Sequence, residues 1–277
     1  MANVYFKDKI PGEFEGMRKY AKAVADENLF VVHDLYPFDP SSGIGFLEKW
    51  KQKNWYKEGI RKNEKVRIFS QHTREALEQQ FPEAKGKTEL VVLVADSECY
   101  QNDEDARDAI RYQYTQGDAY FLYRGPVHAA ANIIPLLKGF SIFKKKIGSN
   151  MRLVLCGPQG PYSAEILAAV DTYKYRTDLI WITAPTALED QSLLSSAYAL
   201  VHPCRWERFG IPIFNAMKSG VAVLTAENSS MSEFAGMAGM FFNEKDANDI
   251  GDKLIRIYKD EQVRAEMIGT GLTMTQQ

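Results

Sequence analysis

The strongest constraint on this chain is a regular alternation of short apolar runs with longer stretches of helical spacing. Val4 to Phe6, Leu29 to His33, Val66 to Ser70 and Leu90 to Val94 read as strands. Between them, Glu13 to Asp26, Gly45 to Gly59 and Thr73 to Gln80 read as helices. A second set begins at Ala119. Strands are expected at Ala119 to Arg124, Met151 to Cys156, Leu179 to Ile182, Ala199 to His202 and Val221 to Thr225. Helices are expected at Ala130 to Lys146, Ala164 to Tyr173, Glu189 to Ala197, Ile211 to Ser219 and Ser229 to Ala235. Two more, Ala247 to Lys259 and Gln262 to Gly269, end the pattern. Repeated strand–helix–strand units imply parallel sheets flanked by helices, so the pattern predicts an α/β chain with two Rossmann-like domains.

The polar, acidic stretch Gln101 to Gln116 interrupts the alternation and suggests a boundary, with one domain over residues 1–115 and the other over 116–277. In folds of this kind ligands gather at the carboxyl ends of the strands. That rule singles out the residues after Tyr123, Cys156, His202 and Thr225 before any motif is consulted.

Composition removes several classes. With 34 basic against 36 acidic side chains the net charge is -2, so nucleic acid is not an expected partner. The basic runs Lys49 to Lys53 and Lys144 to Lys146 read as solvated helix faces. Cys99, Cys156 and Cys204 lack metal-ligand spacing, and their odd number argues against a disulfide framework. No metal site is expected, and a reducing compartment fits best. The first residues lack the apolar core of a signal peptide, and no run of about 18 apolar residues appears. A cytoplasmic location is expected, with peripheral membrane contact left open.

The loop Arg205 to Pro212 is the most informative. It joins an apolar strand to a helix, whose first N–H groups and dipole make a seat for phosphate. Gly210 permits close backbone approach. The Glu207 carboxylate at the loop mouth can accept hydrogen bonds from hydroxyls. An ordinary strand-to-helix turn with a surface glutamate is the alternative. In Thr225 to Glu233, Ser229 and Ser230 can cap the next helix and also donate to an anion, while Ser232 and Glu233 suit a helix start. A cap alone would say nothing of function. His33, followed by Asp34, stands at a strand's carboxyl end, where it could face a cleft between domains or serve as a structural hydrogen-bonding residue. Neither a G-x-G-x-x-G fingerprint nor a G-x-x-x-x-G-K-[ST] run occurs, so neither a nicotinamide cofactor nor a P-loop is indicated.

Together these segments resemble the glycosyl transferases group 1 family, retaining enzymes of the GT-B fold. Tyr120-Phe121-Leu122-Tyr123 with Gly125 is similar to the family's opening strand and glycine. Leu153-Val154-Leu155-Cys156-Gly157 is similar to its second strand, and Ala197 to Pro203 to the strand before its signature. Glu207-Arg208-Phe209-Gly210-Ile211-Pro212 resembles the E-x-F-G-x-P start of the E-x7-E motif. Ser229 to Glu233 resembles the stretch after the following strand. More faintly, Val31 to Leu35 is similar to a His-Asp-Leu segment and Ser70 to Thr73 to a Ser-Glu-x-Ser/Thr segment. Fewer residues precede these than in the family, so the N-terminal domain is expected to be reduced, whether the member is shortened or the chain truncated.

The resemblance implies a metal-independent retaining transferase. It would move a sugar from a nucleotide-sugar donor, a substrate and not a cofactor, to a glycan or glycolipid acceptor. Glu207 would contact the donor sugar and His33 would lie on the acceptor side. Gly125, Phe209, Gly210, Ile211, Asn215, Ser229, Ser230 and Glu233 would line the donor pocket. Three positions depart from the family. Its diphosphate-holding Arg and Lys correspond to Pro126 and Ala131, and the second glutamate of E-x7-E to Asn215. Preorganised cations at a leaving diphosphate are a large catalytic term. Two readings therefore stand: a transferase, impaired or not, and a non-catalytic partner protein that keeps the fold.

Overall fold

The computed structural model describes residues 29–39, 44–91, 99–160, 163–204, 210–227 and 229–276. The expected strand Val4 to Phe6 and helix Glu13 to Asp26 lie outside them. The chain divides into two compact units, Met1–Asp96 and Ser97–Gln277. The boundary expected between Thr115 and Gln116 falls one helix later than this division.

The first unit holds three parallel strands in the order β1 (Leu29–Val31), β2 (Lys65–Ile68) and β3 (Thr88–Leu90). Helix α1 (Phe46–Lys62) connects the first pair and α2 (Gln71–Gln80) the second. β3 begins two residues before the expected Leu90, because Val66 and Ile68 pair with Thr88 and Leu90. Its polar Thr88 and Glu89 carry no apolar signal. The core is aromatic: Tyr56 of α1 stacks on Phe81 at 5.6 Å and meets Phe30 edge-on at 5.9 Å.

The second unit begins with α3 (Glu104–Thr115), which lies in the polar stretch taken as a boundary. Asp103 caps it by accepting from the Ala106 amide at 2.8 Å, and Tyr114 anchors it by donating to Glu189 at 2.9 Å. Then follow β4 (Tyr120–Arg124), α4 (Ile133–Ile147), β5 (Arg152–Cys156), α5 (Ala164–Asp171) and β6 (Leu179–Ile182). Next come α6 (Ala187–Ser195), β7 (Ala199–His202), α7 (Ile211–Lys218), β8 (Ala222–Ala226) and α8 (Ser230–Ala235). The unit closes with β9 (Gly239–Phe242), α9 (Ala247–Lys259) and α10 (Glu261–Thr275). β9 is a short edge strand that the alternation alone did not mark.

The six strands are parallel, in the order β6-β5-β4-β7-β8-β9. The chain winds outward from β4 in one direction, then returns to β7 on the other side and winds outward again. This is the doubly wound topology, with its switch point between β4 and β7. Every residue of β4, β7 and β8 is buried, as expected of parallel strands covered on both faces.

Charges secure the amino-terminal ends of these strands. Arg152 donates to Asp118 at 2.8 Å and to Asp178 at 3.0 Å, while Lys144 pairs with Asp178 at 3.0 Å. On one face α4 and α9 cross closely at glycines. A Cβ on Gly139 would stand 2.6 Å from the Ile250 Cγ2. We expect Gly139→Val to cost ~1–3 kcal/mol by overpacking. Adding Ile250→Ala should restore part of that loss, since the two sites share one contact. Urea unfolding of the two single variants and the double variant measures the coupling, and strict additivity would contradict this packing.

Candidate functional site

The switch point directs attention to the carboxyl ends of β4 and β7 and to their neighbours β5 and β8. β4 and β5 do not part where they end as strands. The Gly125 amide donates to the Cys156 carbonyl at 2.9 Å, Val127 to Pro158 at 2.8 Å and Gly160 to Val127 at 2.9 Å. Gly125 has φ +142° and Gly157 φ +146°, both in the region that favours glycine. A Cβ on Gly157 would stand 2.7 Å from the Gly125 carbonyl carbon. Tyr123 lies beneath this crossing and donates to the Pro126 carbonyl at 2.8 Å.

The chain then makes a 3-10 turn over Ala129–Ala131, with the His128 Nδ1 accepting from the Ala130 amide at 3.2 Å. The predicted helix from Ala130 starts only at Ile133, because Asn132 takes the left-handed conformation (φ 51°) and breaks the run. The Asn132 side chain donates to the Pro203 carbonyl at 2.9 Å. That bond ties the start of α4 to the end of β7, across the switch point. Asn132 is not among the expected site residues, although an asparagine directly before an apolar helical run is a recognisable start signal.

Beyond β7, Glu207 and Phe209 lie outside the described residues. Gly210 precedes α7 with φ 64°, and its carbonyl accepts from the Ile213 and Phe214 amides at 2.9 and 3.0 Å. A Cβ on Gly210 would stand 2.7 Å from the Phe234 Cε2, so glycine lets α8 pack against the start of α7. Ile211 is half-buried at the first position of α7. Asn215 is buried together with Ile213, Ala216 and Met217. The positive end of α7 thus opens at the carboxyl edge of the sheet, where an anion is favoured.

After β8, the Ser229 hydroxyl is engaged locally. It donates to the Ala226 carbonyl at 2.9 Å and accepts from the Met231 and Ser232 amides at 3.2 and 3.4 Å. Ser232 reciprocates by accepting from the Ser229 amide at 3.2 Å, which completes a capping box. Ser230 is buried and Glu233 exposed on α8. His33 belongs to the other unit, where it follows β1 and stacks on Phe69 at 5.6 Å. The structure thus places Gly125, Gly210, Ile211, Asn215, Ser229, Ser230 and Glu233 in one unit around adjacent strand ends, with His33 outside it.

Arg124, the last residue of β4 and the neighbour of Gly125 in the chain, is engaged by an acidic partner. Arg124 is buried and makes a bidentate pair with Asp190 of α6, its Nε lying 3.0 and 2.9 Å from the two carboxylate oxygens. Burial works against the charged guanidinium, but the bonds and charge of Asp190 prevail and hold its pKa above the ordinary value. The Cys156 thiol also reaches Asp190, at 3.4 Å. Burial first, and the Asp190 charge next, push that thiol well above its usual range.

Comparison with known proteins bears on this edge. The model of the glycosyl transferases group 1 family matches residues 107–273. The chain belongs to that family. Its first residues in the match fall within α3, and the match runs through β9 into α10. The O-antigen chain mannosyltransferase B of Escherichia coli is 27% identical over 161 residues, covering 57% of this chain and 42% of that protein. The alpha-1,3/1,6-mannosyltransferase ALG2 of Saccharomyces cerevisiae is 20% identical over 197 residues, covering 61% of this chain and 39% of that protein. The chain thus spans less than half the length of these curated relatives. Among solved structures, WaaG, a glycosyltransferase involved in lipopolysaccharide biosynthesis, superposes with a TM-score of 0.74 at 12% identity, over 94% of this chain and 76% of that one. Anabaena HepE in complex with UDP and glucose gives a TM-score of 0.74 at 14% identity, over 94% of this chain and 70% of that one. These likenesses establish the GT-B fold. Among the described residues no helix is long and apolar enough to cross a membrane.

The buried thiol gives a pH signature. Between the ordinary thiol pKa and the raised folded value, the unfolded chain has lost the Cys156 proton while the folded chain keeps it. Stability should therefore fall as pH rises above about 8.5, by up to ~1.4 kcal/mol per pH unit. Denaturant midpoints from pH 8 to 9.5 should show that fall in the parent and a shallower one in Cys156→Ala. Equal slopes would contradict the assignment. Urea unfolding of Asp190→Ala should show a loss of ~3–5 kcal/mol, because the substitution strands the buried Arg124 charge.

Proposed function

We propose that this chain contributes to sugar transfer from a nucleotide-sugar donor to a glycan or glycolipid acceptor, with retention at the anomeric carbon. The second unit, Ser97–Gln277, would form the donor side and the first, Met1–Asp96, the acceptor side. The observation that carries this reading is the start of α7, which opens with left-handed Gly210 beside the β4–β7 switch point, inside the family segment. A diphosphate would lie against that helix start and the backbone at Gly125. Ile211 and Phe209 would flank it, and Asn215 would reach a ribose hydroxyl once a nucleotide opens the pocket. Ser229, Ser230 and Glu233 would shape the far wall. Glu207 would hold the donor sugar, and His33 would act on the acceptor side. The named relatives are mannosyltransferases, which favours a mannosyl donor. The donor is a substrate, and the reading needs neither a resident cofactor nor a metal. The work belongs to the cytoplasmic side of the cell.

A second reading, a partner protein that binds without turnover, draws on one specific observation. Arg124 is engaged by Asp190, and the positions of the family's cations hold Pro126 and Ala131. Of these, Ala131 is buried in the core while Pro126 is exposed, so a cation is accommodated more readily at 126.

Calorimetry with GDP-mannose, UDP-glucose and ADP-glucose, followed by a donor-hydrolysis assay, separates the readings. The transferase reading expects a Kd on the order of micromolar for one donor. It also expects turnover that falls ~10²-fold or more in Glu207→Ala and rises in Pro126→Arg by up to ~10²-fold. Donor binding without turnover, even in Pro126→Arg, establishes the partner reading. Absence of binding to every donor overturns the transferase reading and leaves the partner reading.

A further inference from the structure

The backbone pairing between β4 and β7 is short. β4 pairs with β5 over five residues and β7 with β8 over four, but β4 pairs with β7 at two positions, Phe121–Ala199 and Leu122–Leu200. Beyond those the strands part and open the crevice of the switch point. Side chains take over there. The Tyr123 and His202 rings stack at 5.8 Å with their planes 9° apart. Further out, the Asn132 Nδ2 donates to the Pro203 carbonyl at 2.9 Å. The preceding carbonyl, that of His202, accepts from the Thr225 Oγ1 at 2.9 Å. Consecutive carbonyls at the end of β7 are thus gripped from β8 on one side and from the segment after β4 on the other.

Asn132 gives up a local role to make its bond. It occupies the N-cap position of α4, where an asparagine side chain ordinarily accepts from an amide of the first turn. It makes no such bond. Its backbone is left-handed, φ 51° and ψ 37°, a conformation asparagine tolerates better than most residues. The flanking Ala131 and Ile133 are fully buried, so the core holds the backbone on either side. The start of α4 thus forgoes its cap, and the side chain reaches a partner 71 positions away.

We propose that Asn132 is a positioning residue for donor binding. Its bond sets the width of the crevice, and with it the distance between the Gly125 backbone and the start of α7. That role rests on the transferase reading, in which a diphosphate lies between those two parts. With Pro126 and Ala131 where the family has cations, the seat draws on backbone N–H groups. Hydrogen bonds from such groups weaken more steeply with distance than the field of a full charge does. The width of the crevice therefore matters more here than in a site that grips its anion with cations. A misplacement of about 1 Å in a site of this kind costs on the order of 10²-fold in rate.

Asn132→Gly separates the two features of the residue, since glycine keeps the left-handed backbone and removes the donor. Asn132→Asp keeps the shape and sets a carboxylate oxygen against the Pro203 carbonyl. In the full chain, both should weaken whichever of GDP-mannose, UDP-glucose and ADP-glucose the parent binds by about tenfold in calorimetry. Their thermal midpoints should fall by about 2–4 °C, the loss expected for one hydrogen bond. Ile250→Val, a comparable loss on α9 away from the crevice, should lower the midpoint as much and leave donor affinity at the parental value. Without ligand, amide exchange over Ala199–Cys204 and Ile211–Lys218 should run about fivefold faster in Asn132→Gly than in the parent. Exchange over β5 and β6 should match the parent. Unchanged exchange at the end of β7 overturns the proposal whether or not a donor binds. So does parental donor affinity in Asn132→Gly, which makes the bond structural only. A parent that binds none of the three donors overturns the transferase reading and this role with it, a failure told apart from the other two by its appearance in the parent.

Discussion

At Gly157 there is room for a hydrogen atom and nothing larger, and the carboxyl edge of the six-stranded sheet depends on that. The opposing backbone at Gly125 comes so close that β4 and β5 stay hydrogen-bonded past their regular ends, through Val127 and Gly160. The segment after β4 is therefore an extension of the sheet. It delivers the 3-10 turn, Asn132 and the start of α4 to fixed positions, and Asn132 passes that placement on to Pro203 beyond β7. A side chain at 157 would separate the strands and release each of these in turn.

The two ends of the same sheet are built from different chemistry. At the amino-terminal ends, Lys144, Arg152, Asp118 and Asp178 neutralise one another. At the carboxyl ends stand glycines and the start of α7, beside the buried Arg124–Asp190 pair. The charges named here are thus satisfied internally at both ends, and backbone dipoles are presented at the carboxyl one. That polarity is what a bound anion needs, and it agrees with membership of a family of glycosyl transferases.

Much of this was legible in the sequence because parallel strands buried on both faces announce themselves as apolar runs. β4, β5, β7 and β8 follow that rule, and each lies close to its expected place. The elements that escaped lack the signal. β9 is a four-residue edge strand that starts with glycine, and α3 is polar on most of its surface, held by an aspartate cap and the Tyr114–Glu189 bond. At the site, residue types marked Gly125, Gly210 and Ser229, since backbone conformation and capping are written in single residues. Two relations could not be read there. The bond from Asn132 to Pro203 spans 71 positions, and the Arg124–Asp190 pair spans 66. Such partners become visible only when the winding of the sheet is known.

The Arg124–Asp190 pair also bears on how the missing charge near Gly125 could be made good. Successive side chains of a strand point to opposite faces, so turning Arg124 to the other side would require β4 to slip by one residue. β4 is clamped between β5 and β7, with five residues in register against the former. A slip would break both ladders and strip Asp190 of its partner. The guanidinium is therefore not a reserve that a small motion could release toward a ligand. A compensating cation at this edge has to arise beyond the strand, either by substitution in the segment that follows Gly125 or on whatever molecule binds there.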